Sequence, residues 1–472
     1  MRRRFAPAGR LRGEVTPPAD KSISHRAALL GAMCDTPVTV RNYLDAADTR
    51  ATLGAVLSLG AGVDEREDEL VIRGVGLHGA FEPTGGVLDV ANAGTLMRVL
   101  PGWLAGQDGG RWTLDGDESI RGRPVDRVVE PLRAMGAHLE ARAGRLPPLT
   151  VVGTPLQGAR HALPVASAQV KSCLLLAGLL AAGETQVVEP APSRDHTERL
   201  LARARAPLVR EGLTVRVSPA DELELDEVVV PGDPSSAAFM VAAACVVSGS
   251  RVVVRDVGLN WTRAGFLRIA KRMGAVIVGE VEEPPAEWAR AGGAPRPAEA
   301  AAGPRTQAEG TPTAPRAPAA PPPSGPRVDA EPTGDLDVRS APLEPTSVER
   351  DEVPLAIDEL PLVALLGCFA EGDTVVRGAQ ELRVKESDRI GGVVEGLRRI
   401  GGDLDATPDG FVVHGPCEPR GGCFDARGDH RLAMLGAIAG LASREGVEVE
   451  GYEAVAISYP AFERDLGALL AG

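Results

Sequence analysis

The 472-residue sequence has no surplus of positive charge and no long apolar run. It contains 51 Lys and Arg against 65 Asp and Glu, which gives a formal net charge of −14. This balance argues against sequence-independent binding of nucleic acid or anionic lipid, so an anionic ligand needs a locally basic pocket. No apolar run reaches the roughly 18 residues of a membrane span, and no signal-peptide core follows Met1. We therefore expect a cytoplasmic protein with no nucleic-acid or membrane partner.

Cysteine motifs for metal binding are also missing. None of the six cysteines belongs to a CxxC pair or to a Cys/His cluster with zinc spacing. Cys417 and Cys423 flank a Gly-rich turn, which leaves a metal pair as an alternative to a plain loop. We predict that the protein binds no metal.

Motifs for nucleotide cofactors are weak or absent. The stretch 74–79 has the GxGxxG spacing and follows a strand-like segment, but the residues after it open a helix poorly. A pyrophosphate site requires a helix N-terminus at that point. No GxxxxGKS loop occurs either. The sequence therefore predicts neither a dinucleotide site nor nucleotide hydrolysis.

One pattern recurs along the chain: a helix that ends in a glycine turn and is followed by a strand. Copies surround Gly60, Gly136, Gly274 and Gly401, and a degenerate fifth copy lies near 200–209. Glycine suits a left-handed helix cap, and most copies carry Lys or Arg in the last turn. The pattern favours a repeated α/β unit, although helix-Gly-strand segments are common in any α/β protein. With 44% apolar residues, the chain can build two cores.

A Pro-, Ala-, Gly- and Glu-rich stretch interrupts this pattern from about residue 282 to 332. Its composition is too poor in apolar residues to bury a core. We predict a disordered or polyproline-like insertion, with a partner-binding Pro motif as the alternative.

Four groups of segments carry more Lys, Arg, Ser and Gly than helix caps and surfaces require. They are 18–26; 92–98 with 119–124; 167–172 with 193–199; and 381–389 with 357–359 and 429–431. Backbone amides at a helix start favour an anion, and Arg forks match phosphate and carboxylate. Lys385 and Arg389, four residues apart, are expected on one helix face. Each segment alone is also compatible with an ordinary capped or charged surface helix.

Taken together and in order, these motifs resemble those of the 5-enolpyruvylshikimate-3-phosphate synthases. The similarity rests on segments 20–26, 92–95, 123–124, 167–172, 193–199, 231–237, 383–389 and 429–431, which together span nearly the whole chain outside the Pro-rich stretch. The resemblance implies an α/β fold of two lobes, each built from three βαβαββ units, with the active site between them. Residues 1–17 and 234–472 would form one lobe, and residues 18–233 the other.

The resemblance also implies roles for individual residues. Shikimate 3-phosphate would be bound by Lys21, Ser22, Arg26, Ser167, Gln169, Ser193, Arg194, Asp358 and Lys385. Phosphoenolpyruvate would be bound by Lys21, Gly94, Arg123, Gln169, Arg389 and Arg431. Lys21 would be catalytic together with Asp358, which would accept the hydroxyl proton, and Glu386, which would shuttle the proton at C3. The enzyme would act as a monomer in aromatic amino-acid biosynthesis, with neither cofactor nor metal.

Three positions depart from the family pattern. Ala19 replaces a common Gly, Ala168 replaces a Ser found in some members, and Ile457 stands where some members have a Lys. Gly94, rather than Ala, implies room for glyphosate. Two other functions stay open: a transferase acting on UDP-N-acetylglucosamine, which would use a reactive loop Cys, and a non-catalytic anion-binding scaffold.

Overall fold

A computed structural model describes residues 1–67, 69–83, 85–285 and 330–471. The strands are β1 Arg2–Phe5, β2 Arg12–Val15, β3 Val38–Arg41, β4 Gly62–Glu65, β5 Glu69–Arg73, β6 Val87–Asp89, β7 Arg111–Asp115, β8 His138–Arg142, β9 Leu146–Val152, β10 Leu156–Gln157, β11 Arg160–Ala162, β12 Ala181–Ala182, β13 Thr185–Val188, β14 Leu208–Glu211, β15 Thr214–Val217, β16 Glu227–Val229, β17 Arg251–Gly258, β18 Val276–Val278, β19 Thr333–Arg339, β20 Ser347–Val348, β21 Gly372–Val376, β22 Leu404–Thr407, β23 Gly410–Gly415, β24 Gly422–Asp425 and β25 Val447–Glu450.

The helices are α1 Lys21–Met33, α2 Ala47–Ser58, α3 Gly94–Ala105, α4 Glu118–Arg121, α5 Asp126–Ala134, α6 Ala168–Leu179, α7 His196–Arg203, α8 Pro234–Val246, α9 Gly265–Arg272, α10 Val353–Ala356, α11 Leu360–Gly367, α12 Arg389–Arg399, α13 His430–Leu441 and α14 Phe462–Ala471. Two 3₁₀ helices cover Gln380–Val384 and Tyr452–Ile457.

One sheet pattern recurs six times. In each sheet, two neighbouring strands are parallel, and a third strand pairs antiparallel with one of them. In five of the six sheets, a fourth strand pairs antiparallel with the third and forms the edge. The five are β16-β3-β5-β4, β6-β7-β9-β8, β11-β13-β15-β14, β2-β17-β19-β18 and β20-β21-β23-β22; the sixth is β24-β25-β1. This repetition gives the molecule six similar α/β units.

The predicted helix-glycine-strand repeat is confirmed. Helices α2, α5, α9 and α12 are each followed within two residues by a glycine in the left-handed region, with φ of 99°, 96°, 89° and 111° at Gly60, Gly136, Gly274 and Gly401. Glycine enters this region without a Cβ clash. In the fifth copy, after α7, Arg205 takes the same position with φ 58°, which explains why that copy is degenerate in sequence.

The buried apolar side chains form two cores. The first core draws on residues 5–15 and 237–469, and the second on residues 19–230. Helices such as α6, α8 and α13 are buried around most of their circumference. Such helices must be apolar on all sides, which leaves their ends as the places where polar chemistry can be presented.

The chain passes between the cores twice, and the two crossing segments are bonded to each other. The Asp20 amide donates to the Pro231 carbonyl and the Asp233 amide donates to the Pro18 carbonyl, both at 2.8 Å. Asp20 and Asp233 also cap α1 and α8. Arg263 Nη1 lies 3.4 Å from Asp20 Oδ2, and Arg263 Nη2 lies 3.0 Å from Asp233 Oδ1. One buried guanidinium thus joins the caps of two helices that belong to different cores.

The central part of the predicted insertion, 286–329, lies outside the described residues. Its ends are part of the fold: Glu282 lies 2.7 Å from Arg199 Nη2, and Glu331 lies 2.6 Å from His196 Nδ1. The GxGxxG stretch joins β5 to β6 and opens no helix. A Cβ on Gly74 would come within 2.2 Å of the Cys34 carbonyl oxygen, so that glycine permits close packing. In the described part of the chain, no helix is long and apolar enough to span a membrane.

Candidate active site

A cavity of about 870 Å³ lies between the two cores. Eleven Lys and Arg residues and eight Asp and Glu residues line it, so the wall is basic although the whole chain carries a net charge of −14. A concave site with a local excess of cations concentrates anions. The cavity therefore provides the basic pocket that an anionic ligand of this acidic protein would need.

The starts of five helices form much of the cavity wall. Lys21, Gly94 and Ala168 open α1, α3 and α6 from the second core, whereas Arg389 and His430 open α12 and α13 from the first. The first amides of a helix lack intrahelical acceptors, and the helix dipole places partial positive charge there. Both cores therefore present anion-binding ends to the same space.

Thirteen of the fourteen predicted site residues line this cavity: Lys21, Ser22, Gly94, Arg123, Ser167, Gln169, Ser193, Arg194, Asp358, Lys385, Glu386, Arg389 and Arg431. Arg26 does not line it. Its guanidinium donates to the Ser22 carbonyl at 2.9 Å, to Thr197 Oγ1 at 2.7 Å and to Ser172 Oγ at 3.0 Å. Burial lowers the pKa of Arg26 to about 10. The structure thus places Arg26 behind Ser22, as a support for the wall.

Asp358 is the point at which cations from both cores meet. Arg194, from the second core, hydrogen-bonds one carboxylate oxygen. Arg389 Nη1 lies at 3.0 Å, Lys385 Nζ at 3.6 Å and Arg431 Nη2 at 3.8 Å. Burial raises the pKa of Asp358, but these four cations outweigh it and hold that pKa well below the usual value. Asp358 is therefore ionised.

Arg389 holds the second carboxylate of the site beside the first. Its guanidinium is 1% exposed and contacts Asp358, Glu386 and, through Nε at 2.8 Å, Asp429. Glu386 also faces Arg123 Nη1 at 3.8 Å. Burial raises the pKa of Glu386, but Arg389 and the other nearby cations lower it well below its usual value. One guanidinium thus bridges two anionic carboxylates at the centre of the cavity.

The expectation that Lys385 and Arg389 share a helix face is wrong. Lys385 follows the 3₁₀ helix Gln380–Val384, and Arg389 opens a separate helix capped by Asp388. Asp388 competes for the backbone amides and starts the new helix. The two side chains converge because both reach Asp358.

Arg98 and His430 are two of the lining residues that were not among the predicted site residues. Arg98 donates only to the carbonyls of Gly94 and Pro124, at 3.3 and 3.2 Å, and its burial lowers its pKa to about 10. Within the part of the chain that the structure describes, neither ring nitrogen of His430 has a hydrogen-bond partner. Burial lowers the pKa of His430 to about 3, so the ring is neutral. Arg98 follows Gly94 by four residues on one helix, a spacing that could have indicated it.

Comparisons with known proteins agree with this architecture. The family model described as EPSP synthase (3-phosphoshikimate 1-carboxyvinyltransferase) matches residues 5–314 and 323–466. The chain is 43% identical to 3-phosphoshikimate 1-carboxyvinyltransferase of Synechococcus sp. (strain JA-3-3Ab), with 99% of this chain and 96% of that protein covered. It is 45% identical to the enzyme of that name from Anaeromyxobacter sp. (strain Fw109-5), with 98% and 97% covered.

Solved structures show the same fold. EPSP synthase from Acinetobacter baumannii matches with a TM-score of 0.80 and 35% identity, over 99% of this chain and 98% of that one. NikO, an enolpyruvyl transferase from Streptomyces tendae, matches with a TM-score of 0.71 at 16% identity, over 99% of this chain and 96% of that one, which supports the fold alone. The protein thus has the two-lobed enolpyruvyl transferase fold, with three α/β units in each lobe. It belongs to the EPSP synthase family.

Proposed function

We propose that this chain transfers the enolpyruvyl group of phosphoenolpyruvate to the 5-hydroxyl of shikimate 3-phosphate and releases phosphate. The observation that carries the proposal is the pair of carboxylates, Asp358 and Glu386, held among cations from both lobes. Both substrates are polyanions with phosphate and carboxylate groups, which Arg forks and helix starts suit. The reaction belongs to aromatic amino-acid biosynthesis.

The two substrates divide the cavity wall between them. Shikimate 3-phosphate is held by Ser22, Ser167, Gln169, Ser193, Arg194, Asp358 and Lys385, with Arg26 behind Ser22. Phosphoenolpyruvate is held by Gly94, Arg123, Gln169, Arg389 and Arg431, and Lys21 contacts both. Gly94 and Arg123 lie on one lobe and Arg389 and Arg431 on the other, so the second site is complete only when the lobes are closed.

The reaction is addition followed by elimination. Asp358 accepts the proton of the 5-hydroxyl as its oxygen bonds C2 of the enol, and Glu386 delivers a proton to C3. Glu386 then takes a proton back from C3 as the C2–O bond to phosphate breaks and the enol ether forms. Lys21 and the Arg residues stabilise the developing charge without reorganising. These roles are the part of the proposal that substitutions must test.

Substrate binding should raise the low pKa values of Asp358 and Glu386. Surrounded by cations, Asp358 and Glu386 hold protons too weakly for efficient transfer. The phosphates and carboxylates of bound substrates oppose the charge of Arg123, Arg194 and Arg389, and nearby anions raise a carboxyl pKa. The two groups thus become useful proton carriers when the site is filled.

A coupled phosphate-release assay tests the function directly. We expect phosphate release only when phosphoenolpyruvate and shikimate 3-phosphate are both present. Release with UDP-N-acetylglucosamine instead would support the related transferase, and no release with either acceptor would support a non-catalytic scaffold. Of the cysteines, all of which lie within the described ranges, none lines the cavity, so the structure gives no support to a cysteine-dependent reaction there.

The remaining organisation is proposed with the function. Residues 1–17 and 234–472 form one lobe and residues 18–233 the other, a division supported by the two cores. We propose a monomer, because both lobes of one chain complete the cavity. We also propose that it is cytoplasmic and needs no cofactor or metal. Ile457 lies at the end of the second 3₁₀ helix and does not line the cavity. The phosphate contact that some members make through a Lys there is therefore either absent or supplied by another residue.

Arg127 and Glu381 form an ion pair that links the lobes at the cavity wall, and reversing its charges should weaken closure. Arg127 Nη1 and Nη2 lie 2.6 and 2.8 Å from the two Glu381 oxygens. The side chains are 39% and 28% exposed, so the pair contributes about 0.2–1 kcal/mol. We expect Arg127→Glu and Glu381→Arg each to raise the KM of phosphoenolpyruvate a few-fold in steady-state assays. The double exchange should restore it; additive losses would contradict an interlobe role.

Gly94→Ala should reduce glyphosate sensitivity more than it impairs the reaction. A Cβ on Gly94 would lie 3.1 Å from Arg98 Nη1 and 3.2 Å from Arg123 Nη1. The guanidiniums must shift to accept it, which shortens the phosphoenolpyruvate site. Because glyphosate is the longer molecule, its inhibition constant should rise roughly tenfold or more, the order expected from 1–3 kcal/mol of overpacking, while the KM of phosphoenolpyruvate rises less.

Gly54→Ala is the matched control for that substitution. Gly54 also lies in a helix, α2, and an added Cβ would meet nothing within 4 Å. Inhibition constants should therefore match the wild type. A wild-type enzyme that stays fully active at high glyphosate concentration would contradict the inferred room at Gly94.

A further inference from the structure

A buried lysine with two carboxylates lies behind the cavity wall, next to Ser193. Lys171 Nζ lies 2.7 Å from a Glu189 oxygen and 2.7 Å from a Glu198 oxygen. The three side chains are at most 2% exposed, and none of them lines the cavity. If all three were ionised, these three side chains would carry one excess negative charge away from water. Such a cluster lowers its free energy by taking up a proton.

Glu189 is the member with an acceptor for an acid proton, because its Oε1 lies against Ser193 Oγ. Glu198, apart from its ion pair with Lys171, has no hydrogen-bond partner for either oxygen among the described residues. Burial raises the pKa of Glu189; Lys171 opposes this, but the neighbouring Glu198 charge adds to the rise, and the pKa stays above its usual value. Two other cations face the cluster. Arg210, on β14, is paired with Asp195 at 3.1 Å, and Arg26, on α1, donates to hydroxyl and carbonyl oxygens. Neither of these two guanidiniums hydrogen-bonds Glu189.

The protonation state of Glu189 decides what Ser193 can offer to a ligand. Glu189 Oε1 and Ser193 Oγ share a short hydrogen bond, and Ser193 lines the cavity. A serine hydroxyl has one hydrogen and two lone pairs. Beside an ionised Glu189, that hydrogen is used on Glu189, and only lone pairs face the cavity. Beside a neutral Glu189, the acid O–H donates to Ser193, whose own hydrogen is then free.

We propose that Glu189 is a neutral carboxylic acid in the binding-competent protein and thereby makes Ser193 a hydrogen-bond donor to the phosphate of the acceptor substrate. The inference rests on the proposed function, in which Ser193 binds shikimate 3-phosphate. Glu189 acts through Ser193 and touches no substrate, so it is a positioning residue. The buried Lys171–Glu198 pair balances its own charge and leaves the proton on Glu189.

Two substitutions that each replace one carboxyl group of the cluster by an amide should have different effects. In Glu189→Gln, the amide donates to Ser193 and its carbonyl accepts from Lys171, so the KM of shikimate 3-phosphate should stay close to wild type. In Glu198→Gln, Lys171 pairs with Glu189 alone, Glu189 ionises, and the Ser193 hydrogen is captured. The KM of shikimate 3-phosphate should then rise roughly 10- to 100-fold, as for loss of a hydrogen bond to a charged group.

The reference variant is Ser193→Ala, which should show the same rise as Glu198→Gln and leave the KM of phosphoenolpyruvate unchanged. A Glu189→Gln enzyme as impaired as Ser193→Ala would overturn the proposal, as would a Glu198→Gln enzyme with normal KM. If Glu198→Gln fails to fold, the double variant Glu189→Gln/Ser193→Ala decides. It should match Ser193→Ala alone, and a larger defect would show that Glu189 does not act through Ser193.

Infrared spectroscopy tests whether the Glu189 carboxyl group is protonated, and it needs no catalytic turnover. The spectrum of the wild type minus that of Glu189→Gln should contain the C=O stretch of a protonated carboxyl, and Ser193→Ala should shift this band. Absence of the band in the wild type would overturn the proposal. Because this measurement needs no reaction, a protein that shows the band but releases no phosphate would contradict the proposed function and not the protonation of Glu189.

Discussion

Asp358→Asn should lower kcat by about 10²- to 10⁴-fold, the contribution typical of a general base. Asn keeps the shape of the side chain and can accept a hydrogen bond from Arg389, but it cannot accept the hydroxyl proton. The KM values should stay near wild type or fall, because four cations lose the carboxylate they share and become available to anionic substrates. Steady-state phosphate release with each substrate varied in turn separates the two effects.

The matched control is Asp126→Asn, which removes another carboxylate from the same cavity wall. Among the described residues, Asp126 has one ion-pair partner, Arg145, at 3.7 Å. It has no role in the proposed proton transfer. Its kcat should stay near wild type. Near-normal turnover of Asp358→Asn would remove Asp358 from its role, and an unchanged unfolding midpoint would show that any loss is chemical.

The wall residues could be predicted from sequence because their chemistry is local. A motif such as 20–26 combines a cap, a Lys and a Ser at a helix start, and these features determine where the backbone amides point. The roles of individual residues then followed from the resemblance, because the motifs occur in the same order as in the family. Helix α1 indeed begins at Lys21 behind the Asp20 cap, and the motifs at 92–98 and 167–172 also meet the cavity at helix starts.

Contacts between distant segments could not be predicted in the same way. Arg194 and Asp358 are 164 residues apart in the chain, and nothing local indicates that they touch. For Lys385 and Arg389, a shared helix face was predicted wrongly. A four-residue spacing suits one face of a helix, but it also occurs across a break between two helices. Lys171 and Glu198 stand in two different polar motifs, and Glu189 follows the strand β13. Only the fold reveals that they share one buried cluster.

Arg263→Met should lower the free energy of unfolding by about 3–5 kcal/mol, the usual cost of removing one partner from a buried ion pair. Arg263 is buried, and its guanidinium lies between Asp20 and Asp233 and donates to Ser235 Oγ at 2.7 Å. Without it, two buried carboxylates at the interlobe crossings lose their shared cation. Urea unfolding followed by circular dichroism measures the change.

Arg255→Met provides the control for this prediction, because Arg255 also bridges two carboxylates, Glu14 and Asp335, but does so at the surface. Water screens those charges, so its unfolding midpoint should hardly move. Equal midpoints for the two variants would show that Arg263 does not hold the crossings together.

The pH dependence of stability gives a second test. Arg263 helps to lower the pKa of Asp233 despite the burial of that carboxyl group. The ionised Asp233 therefore stabilises the folded state at pH values above the unfolded-state pKa of Asp, and this contribution is lost as the pH falls through the lower folded-state pKa. The contribution should be smaller in Arg263→Met.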